Sequence, residues 1–398
     1  MKRAAVSAAA LLATAAFTVG EAAAQQFDIS GYSLGVVTNT QDSPALPGGT
    51  GFVGRLRIMP VATFGDFVLD VAYEHVLTET PEGGGISITD PGRTAGSTDW
   101  LDLSWTIRED EQTTWFHRFD RLALSYETGA FEFTAGRQAI SWATTLFLTP
   151  ADPFSPFDPS DPFREYRGGV DALRIRTFPG PFSELEFVLR GADTPDGATV
   201  TALLRGQTSV GGGVWSVGAW GGALHDEAAG AAFATGSLGS TAVRAEATIR
   251  EHPDGGTALR VSAGADRFFR PADRDLYLIV EFQHDEFGAS DPSGLLPAAM
   301  SLPYQRGEMQ TLGENTVAVQ ASYQVYPLVS VALMVLANVD DFSELLSMSL
   351  AWSASQSASV SIGAFIGAGD DSLDPVAGFG SEYGLVPRIG YASVSWFF

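Results

Sequence analysis

The fold of this 398-residue chain is decided by its last stretch, Ile389-Gly390-Tyr391-Ala392-Ser393-Val394-Ser395-Trp396-Phe397-Phe398. Successive side chains of a β-strand point to opposite faces, so Val394, Trp396 and Phe398 would share one face. Aromatic residues at the end of such a strand are typical of a barrel wall that meets lipid at the membrane interface. We therefore expect this strand to close a barrel, with those three side chains facing outward.

The first residues indicate export. Lys2 and Arg3 form a positively charged start, residues 4–19 are mostly Ala, Leu, Val and Phe, and residues 22–24 offer a small-residue cleavage site. This order is typical of a secretory signal peptide. We expect residues 1–24 to be the signal peptide and residues 25–398 to form the barrel. The alternative is an amphipathic first helix of a cytosolic domain.

The composition narrows the classes of function. The chain has 23 Lys and Arg against 47 Asp and Glu, a formal net charge of −24, and no Cys. Nucleic-acid binding needs a basic footprint, so it is disfavoured as a function. Disulfides are excluded. Beyond residue 24 no stretch approaches the ~18 apolar residues that a candidate spanning helix needs, so an exported membrane protein of this sequence must cross as a closed barrel.

Apolar and polar residues alternate along most of the chain. The ranges 66–74, 183–190, 241–250 and 316–325 each place apolar residues on one face and polar residues on the other. A soluble β-sandwich would alternate too, but its strands average about five or six residues, whereas barrel spans need about 9–11. Most segments here run about 9 to 12 residues, which favours the barrel.

We predict an all-β fold, a transmembrane antiparallel up-and-down β-barrel of about 18 strands, an even number as bacterial single-chain barrels require. The weakest segment, 230–237, is rich in Ala and Gly and is included because the number is otherwise odd. The expected strands are 27–37, 51–61, 65–77, 117–127, 130–139, 169–178, 183–191, 198–206, 213–223, 230–237, 240–251, 257–267, 274–285, 315–326, 329–338, 344–354, 357–366 and 388–398.

The connections between these strands fall into two sets. Short ones, such as 128–129, 179–181, 326–328 and 355–356, alternate with long ones at about 38–50, 78–116, 140–168, 286–314 and 367–387. Short turns on the periplasmic side and long loops outside are typical of outer-membrane barrels. We expect every long loop at one end of the barrel.

Charged residues on the strands must face a wet lumen, because an arginine facing lipid at the midplane costs about 2–4 kcal/mol. The inward side would also carry acids, among them Asp70, Glu74, Glu184, Glu246 and Glu281. The arginines either steer anionic solutes or pair with these acids and only support the wall. The candidate pore-lining residues are Arg55, Arg57, Arg121, Arg174, Arg176, Arg190, Arg244 and Glu186, with Arg174 and Arg176 as the best solute-contacting pair.

The loop 140–168 is the most distinctive segment outside the strands. Its prolines forbid strand or helix, and its phenylalanines are too many for a freely solvated loop. The loop either folds into the barrel mouth as a constriction, which we favour, or packs on the outer rim. Its aspartates could hold Ca²⁺, but Asp-Pro is ordinary turn chemistry, and we predict no metal. The candidate constriction residues are Asp152, Phe154, Phe157, Asp158, Asp161, Arg164 and Arg167.

Nothing in the sequence points to catalysis. The five histidines, at 75, 117, 225, 252 and 284, have no metal-ligand spacing, and no serine lies in a Gly-x-Ser-x-Gly motif. A hydrolase whose His and Ser come together from separate strands remains the alternative. We predict no enzyme activity and no cofactor.

Two local patterns resemble known families. The stretch 136–142, with Gly136, Arg137, Gln138 and Trp142, followed by the strand 169–174, resembles the alginate-export type of outer-membrane channel and related porin-like families. Ala143 stands where that family usually has Gly. The resemblance implies an eighteen-stranded barrel, passive passage of a solute and, in the alginate case, an arginine-rich path for a polyuronate. On parity, Arg137 shares the side of Phe131 and Phe133, which indicates a rim or bulge position and a role in anchoring the loop.

The last strand resembles the carboxy-terminal signature of bacterial outer-membrane β-barrels, which implies recognition by the barrel assembly machinery through Trp396 and Phe398. Together these patterns predict a bacterial outer-membrane channel, porin-like and passive, for hydrophilic solutes that include anions. Two alternatives stay open, a transporter of apolar solutes and a structural barrel with a filled lumen.

Overall fold

The structure is a computed structural model that describes residues 26–44, 47–81, 98–154, 161, 163, 166–252, 255–374 and 378–398. The predicted signal peptide, 1–24, lies outside the described residues. The described chain is almost entirely β-strand, and none of its helices is both long and apolar enough to cross a membrane.

Eighteen long strands of the described chain form one antiparallel sheet. The strands overlap all eighteen predicted segments, including the weak one at 230–237, so the predicted fold class is confirmed. They are β1 (Gln26–Thr40), β2 (Gly49–Phe64), β3 (Phe67–Glu79), β5 (Thr113–Thr128), β6 (Phe131–Gln138), β7 (Val170–Gly180), β8 (Ser183–Thr194), β9 (Gly197–Val210), β10 (Trp215–Leu224), β11 (Glu227–Leu238), β12 (Thr241–Glu251), β13 (Thr257–Phe269), β14 (Leu276–Asp285), β15 (Asn315–Tyr326), β16 (Val329–Asn338), β17 (Ser343–Ser353), β18 (Ala358–Ala368) and β21 (Ile389–Phe397).

The sheet closes on itself through its first and last strands. β1 pairs with β2 on one edge and with β21 on the other, with Tyr32 opposite Phe397 and Thr40 opposite Ile389. The seam ends in two backbone hydrogen bonds between Gly31 and Phe398, at 2.9 and 3.0 Å. Closure leaves the wall without a free edge, so strand amides and carbonyls are paired within the sheet.

The two faces of the wall differ as the alternation predicted. Side chains such as Leu204, Ile249 and Ile362 face outward and are more than half exposed, while Arg57 and Arg250 face inward. Val394, Trp396 and Phe398 are each 54% exposed, which confirms their predicted outward orientation.

The long connections all lie at one end of the barrel, as predicted, although two-residue turns such as 195–196 and 225–226 lie there too. The short turns join alternate hairpins at what we call the turn end, for example 65–66, 129–130, 181–182, 239–240 and 327–328. The long connections 80–112, 139–169, 286–314 and 369–388 lie at the other end, the loop end. Short helices α1 (Leu295–Ala299) and α2 (Leu302–Gln305) occupy one of these loops, and a small hairpin of β19 (Leu373–Asp374) and β20 (Gly378–Phe379) occupies another.

Besides the small hairpin of β19 and β20, one strand of the described barrel wall was not expected from the sequence. The loop predicted at 78–116 contains β4 (Ser104–Glu109), which pairs with residues 114–118 of β5. β3 occupies the whole of the other edge of β5, so β4 lies on the same edge as β6. Because β6 ends at Gln138, β4 takes the place of its missing continuation.

The barrel predicts a depth-dependent response to charge on its outer face. Leu204 lies near the middle of β9, and Val210 ends the same strand at the turn end. We expect Leu204→Arg to lower the free energy of unfolding by about 2–4 kcal/mol and Val210→Arg by about 0–1 kcal/mol. Denaturant titration in lipid vesicles measures both values, and equal losses at the two depths would contradict a membrane-facing exterior.

Candidate functional site: the lumen and its inward loop

The loop between β6 and β7, as far as the structure describes it (139–154, 161, 163 and 166–169), lies inside the barrel, as the inward interpretation predicted. Trp142 and Leu148 are almost completely buried, and Phe154 and Phe163 nearly so. Asp152 accepts hydrogen bonds from Arg167 Nη1 at 2.6 Å and Ser141 Oγ at 2.9 Å. Asp161 accepts from the backbone amide of Phe163 at 2.8 Å. The candidate constriction residues Phe157, Asp158 and Arg164 lie outside the described residues.

Two wall carboxylates hold the backbone amides of this loop. Glu246 on β12 accepts from Thr144 at 2.9 Å, Ala151 at 3.1 Å and Thr145 at 3.4 Å. Glu281 on β14 accepts hydrogen bonds from the backbone amides of Leu146, Phe147 and Leu148 at 2.6, 2.8 and 3.0 Å. An irregular backbone lacks the regular hydrogen-bond partners of a strand or helix, and an unpaired buried amide is costly. Two carboxyl groups with several lone pairs each supply acceptors for six amides.

The loop carbonyls find donors on other strands. Pro150 O accepts from Thr248 Oγ1 at 3.1 Å and from Arg260 Nη1 at 3.4 Å, and Ala151 O accepts from Trp220 Nε1 at 2.9 Å. Phe163 O accepts from Arg55 Nη1 at 3.2 Å. The loop is therefore tied to strands on both sides of the lumen, and its position is set by the wall.

Apolar side chains also fill part of the lumen, which the sequence analysis did not predict. Leu148 and Phe163 pack with inward residues of β1, β16, β18 and β21, among them Tyr32, Leu336 and Tyr391. A second cluster joins Trp142 and other loop residues to β8, β9 and β10. The sequence analysis assigned apolar strand residues to lipid, but at the level of the loop they face inward and pack against it.

The predicted pore arginines fall into two groups. Arg55, Arg57 and Arg190 are buried beneath the loops. Arg57 Nη1 binds Glu74 at 2.5 Å and its Nη2 binds Asp120 at 2.7 Å, whereas Arg55 donates to Tyr32 and Arg190 to Thr98. The partly exposed group, which can meet a solute, comprises Arg121, Arg174, Arg176 and Arg244, together with Arg205.

The partly exposed arginines belong to a row of alternating charges across the wall, in which the predicted pore-lining residue Glu186 is itself buried. Glu132, Arg176, Glu186 and Arg205 lie opposite one another in register on β6, β7, β8 and β9. Arg176 pairs with Glu132, Arg174 Nε binds Glu186 at 2.5 Å, and Arg205 lies 3.8 Å from Glu186. Arg121 lies 3.9 Å from Asp70, and Arg244 pairs with Asp266. The cross-strand pairing proposed for these arginines is therefore present, and the guanidinium groups border the lumen as members of ion pairs.

The family-like motif anchors a second segment. Gly136 has φ of +115°, and a Cβ there would lie 2.2 Å from the Leu122 carbonyl oxygen, so only glycine fits. Arg137 binds Asp171 on β7 with two bonds of 2.9 and 2.7 Å and donates to Leu101 O at 2.6 Å. The arginine thereby holds the segment 98–103, which bridges from β8 to β4 where β6 and β7 have ended.

The other two motif residues connect the strand to the inward loop. Gln138 Nε2 donates to Ala172 O on β7 at 3.0 Å. Trp142 packs edge-on against Phe154, with ring centroids 4.8 Å apart. The motif thus lies where the wall strand becomes the loop, and its side chains bind wall and loop rather than line an open path.

The loop 286–314 is bound to the rim at the loop end. Its Arg306 binds Asp196 at 3.0 Å and Glu227 at 2.9 Å, and its Glu308 pairs with Arg250. The turn between β10 and β11 contains the buried His225. Its Nδ1 atom forms a hydrogen bond of 2.8 Å with the hydroxyl oxygen Oγ1 of Thr199. Burial lowers the pKa of His225 from 6.5 to about 2, and the charges of Arg190, Arg306 and Arg250 add to the shift.

A third carboxylate joins two loops to each other. Glu382 accepts from the amides of Leu312 and Gly313 at 2.8 and 3.0 Å and from Asn338 Nδ2 at 2.9 Å. Burial raises its pKa, and the bonded donors oppose the rise. The loop end therefore uses the same device as the lumen, a buried carboxylate that collects backbone amides.

Comparison with known proteins gives matches in structure only. No family model and no curated protein sequence matches the chain. The Pseudomonas aeruginosa channel OccK2 (OpdF), solved with glucuronate, matches with a TM-score of 0.57 at 12% identity, covering 94% of this chain and 98% of that one. A BenF-like porin from Pseudomonas fluorescens Pf-5 matches with a TM-score of 0.55 at 11% identity, and the match covers 94% of this chain and 98% of that one. The outer membrane protein OpdK from Pseudomonas aeruginosa matches with 0.56 at 8% identity, covering 93% and 98%. The chain therefore has the fold of outer-membrane porins, and the predicted outer-membrane localisation agrees with that fold.

The clamp on the inward loop is tested by removing its charges. In a double variant, Glu246→Gln with Glu281→Gln, each side chain keeps one acceptor oxygen. The other oxygen becomes an NH₂ group, a donor that cannot bind the donor amides of the loop. Hydrogen bonds to charged groups contribute about 1.5–3 kcal/mol each, so we expect amide exchange at 144–151 to accelerate at least tenfold. Glu132→Gln is the matched control, because that inward carboxylate pairs with Arg176 and makes no bond to the loop. Unchanged exchange in the double variant would show that the carboxylates do not position the loop.

The low pKa of His225 predicts a loop end that weakens in acid. When the loop opens, His225 gains water and protonates near 6.5, while the closed form stays neutral down to about 2. The contribution of neutral His225 to the stability of the closed loop is therefore complete above pH 6.5. It is lost as the pH falls below 6.5, by at most about 1.4 kcal/mol per pH unit. Exchange at 302–312, corrected for the intrinsic rate, should rise between pH 7.5 and 5.5 in the natural chain. His225→Gln should abolish this dependence, and persistence of the same dependence would assign it to another group.

Proposed function

We propose that this protein is a passive channel of the bacterial outer membrane for small hydrophilic solutes, with carboxylates among them. A closed sheet with an apolar exterior fits lipid, and the charged inner wall fits a wet path. In this orientation the turn end faces the periplasm and the loops face outward.

The observation that carries the proposal is the inward loop and its attachment. Glu246 and Glu281 tie the loop to β12 and β14. The alternating charges of β6 to β9 remain at the wall, with Arg174 and Arg176 partly exposed. The loop narrows the lumen, and Arg205 of the charged row lies 5.8 Å from the ring centre of Trp142 in that loop, so narrowing and charge come together as a selective constriction needs.

The solute class follows from the guanidinium groups. Arginine binds carboxylates through parallel N–H bonds, and two structural relatives were solved with carboxylic acids, OccK2 with glucuronate and OpdK with vanillate. Each partly exposed arginine of the lumen already has an acidic partner, so a solute carboxylate must compete with a wall carboxylate. Such competition favours weak binding and fast passage over capture. A uronate, as the alginate-export resemblance implies, is a member of this class.

A structural barrel with a filled lumen is the second candidate. Two buried apolar clusters occupy the lumen at the level of the loop, and the wall arginines are paired. Purified full-length protein in planar bilayers separates the two. A channel gives discrete conductance steps, and a filled barrel gives none. Liposome swelling with neutral sugars, uronates and phosphate then ranks the solutes that pass.

The charge of the path is tested at Arg174 and Arg176. Replacing both with Ala leaves Glu186, Glu132 and Glu184 without these cations, so the lumen becomes more negative. A solute ion 4 Å from one unit charge in water interacts with it by about 1 kcal/mol. We therefore expect the chloride-to-potassium permeability ratio to fall by up to about fivefold for each arginine removed. Reversal potentials in a KCl gradient give this ratio. Arg267→Ala, on the outer face, is the control and should leave it unchanged; an unchanged ratio in the double variant removes both arginines from the path.

A further inference from the structure

One connection at the turn end differs from the others. The segment 270–275 between β13 and β14 has six residues, whereas the other described turns at this end have two to four. Ala272 and Asp273 both have positive φ, 52° and 58°, a conformation that residues with a Cβ seldom adopt. Three arginines, Arg267, Arg270 and Arg274, belong to this hairpin, and we call them the arginine rim.

Arg267 faces outward from the barrel. It follows Ala263 and Ala265 on the outward face of β13 and lies opposite Leu278 on β14. Its guanidinium carbon lies 5.1 Å from the centre of the Phe269 ring. A cation on the outer face is tolerated only close to the membrane interface, where aromatic side chains and headgroups meet. Its position near the strand end satisfies that condition.

Arg274 lies on the same outer side of the turn. Its backbone is extended, with φ of −114° and ψ of 146°. Its guanidinium carbon lies 5.8 Å from the centre of the exposed Tyr326 ring on β15. Arg270 binds Asp275 at 2.9 Å. Among the residues that the structure describes, Arg267 and Arg274 have no carboxylate within 4.0 Å, so the rim has two cations without acidic partners.

We propose that the arginine rim binds the phosphate of an anionic phospholipid in the periplasmic leaflet. The inference rests on the proposed function, because it places the turn end at that leaflet. A guanidinium offers two parallel donors to a phosphate, and its stacking on Phe269 or Tyr326 leaves those donors free at its edge. The acyl chains of the lipid then lie against the apolar outer face of β13 to β15. Two cations without partners favour a lipid with a net negative charge.

The test measures lipid that stays bound to the full-length protein. The barrel is reconstituted in nanodiscs of phosphatidylcholine with or without phosphatidylglycerol, released, and examined by native mass spectrometry. We expect phosphatidylglycerol to remain bound to the natural chain in preference to phosphatidylcholine. Each arginine beside an anionic surface contributes roughly a fivefold gain in binding, so Arg267→Gln with Arg274→Gln should lower retention roughly 25-fold.

Controls separate this proposal from the channel function and from misfolding. Arg108→Gln removes an exposed arginine in β4, at the loop end, that pairs with Asp110, and it should not change retention. Added salt should weaken retention in the natural chain, which tests the proposal even if the double variant fails to fold. Planar-bilayer conductance should be equal in the natural chain and the double variant, so loss of lipid with intact conductance supports the rim alone. Equal retention of both lipids by the natural chain, or full retention by a folded double variant, would overturn the proposal.

Discussion

A chain segment that leaves the wall and enters the lumen must find partners for its backbone amides, and the rest of this structure depends on that constraint. Strands satisfy one another around the ring, but the described part of the loop 139–169 pairs with no strand of the sheet. Glu246 and Glu281 solve the problem, because an ionised carboxylate accepts several amides at once. Charge on the wall thereby fixes the position of an irregular loop, as Glu382 does between two outer loops.

The departure of the loop has a consequence for the wall itself. β6 ends at Gln138, and β7 begins only at Val170, so the sheet is incomplete above them. β4 and the segment 98–103 occupy that place, and Arg137 with Asp171 joins the segment to the strands below. The distinctive motif of the sequence is thus a junction of wall, inward loop and bridging segment. Its glycine allows the close approach to Leu122 that this junction needs.

The charged wall combines stability and function in one set of side chains. An arginine that faces the lumen alone would strengthen anion binding but would repel its neighbouring arginines. The row Glu132, Arg176, Glu186 and Arg205 alternates in sign across four strands, which removes that repulsion. In the proposed channel a solute carboxylate exchanges with a wall carboxylate at little net cost. Such a wall favours passage over tight binding.

The sequence alone determined the barrel, because a period of two and the length of a membrane span are local properties that each strand carries by itself. It placed eighteen strands, the outward side chains of Val394, Trp396 and Phe398, and the long loops at one end of the barrel. Only the tertiary structure decided which side chains and backbone groups from distant segments contact one another. Glu246 lies about 100 residues from the amides it binds. Tyr32 and Leu336 are buried because the inward loop packs against them, and β4 pairs with β5 where β6 has ended. Those features depend on which segments meet across the lumen, which alternation along a single strand does not encode.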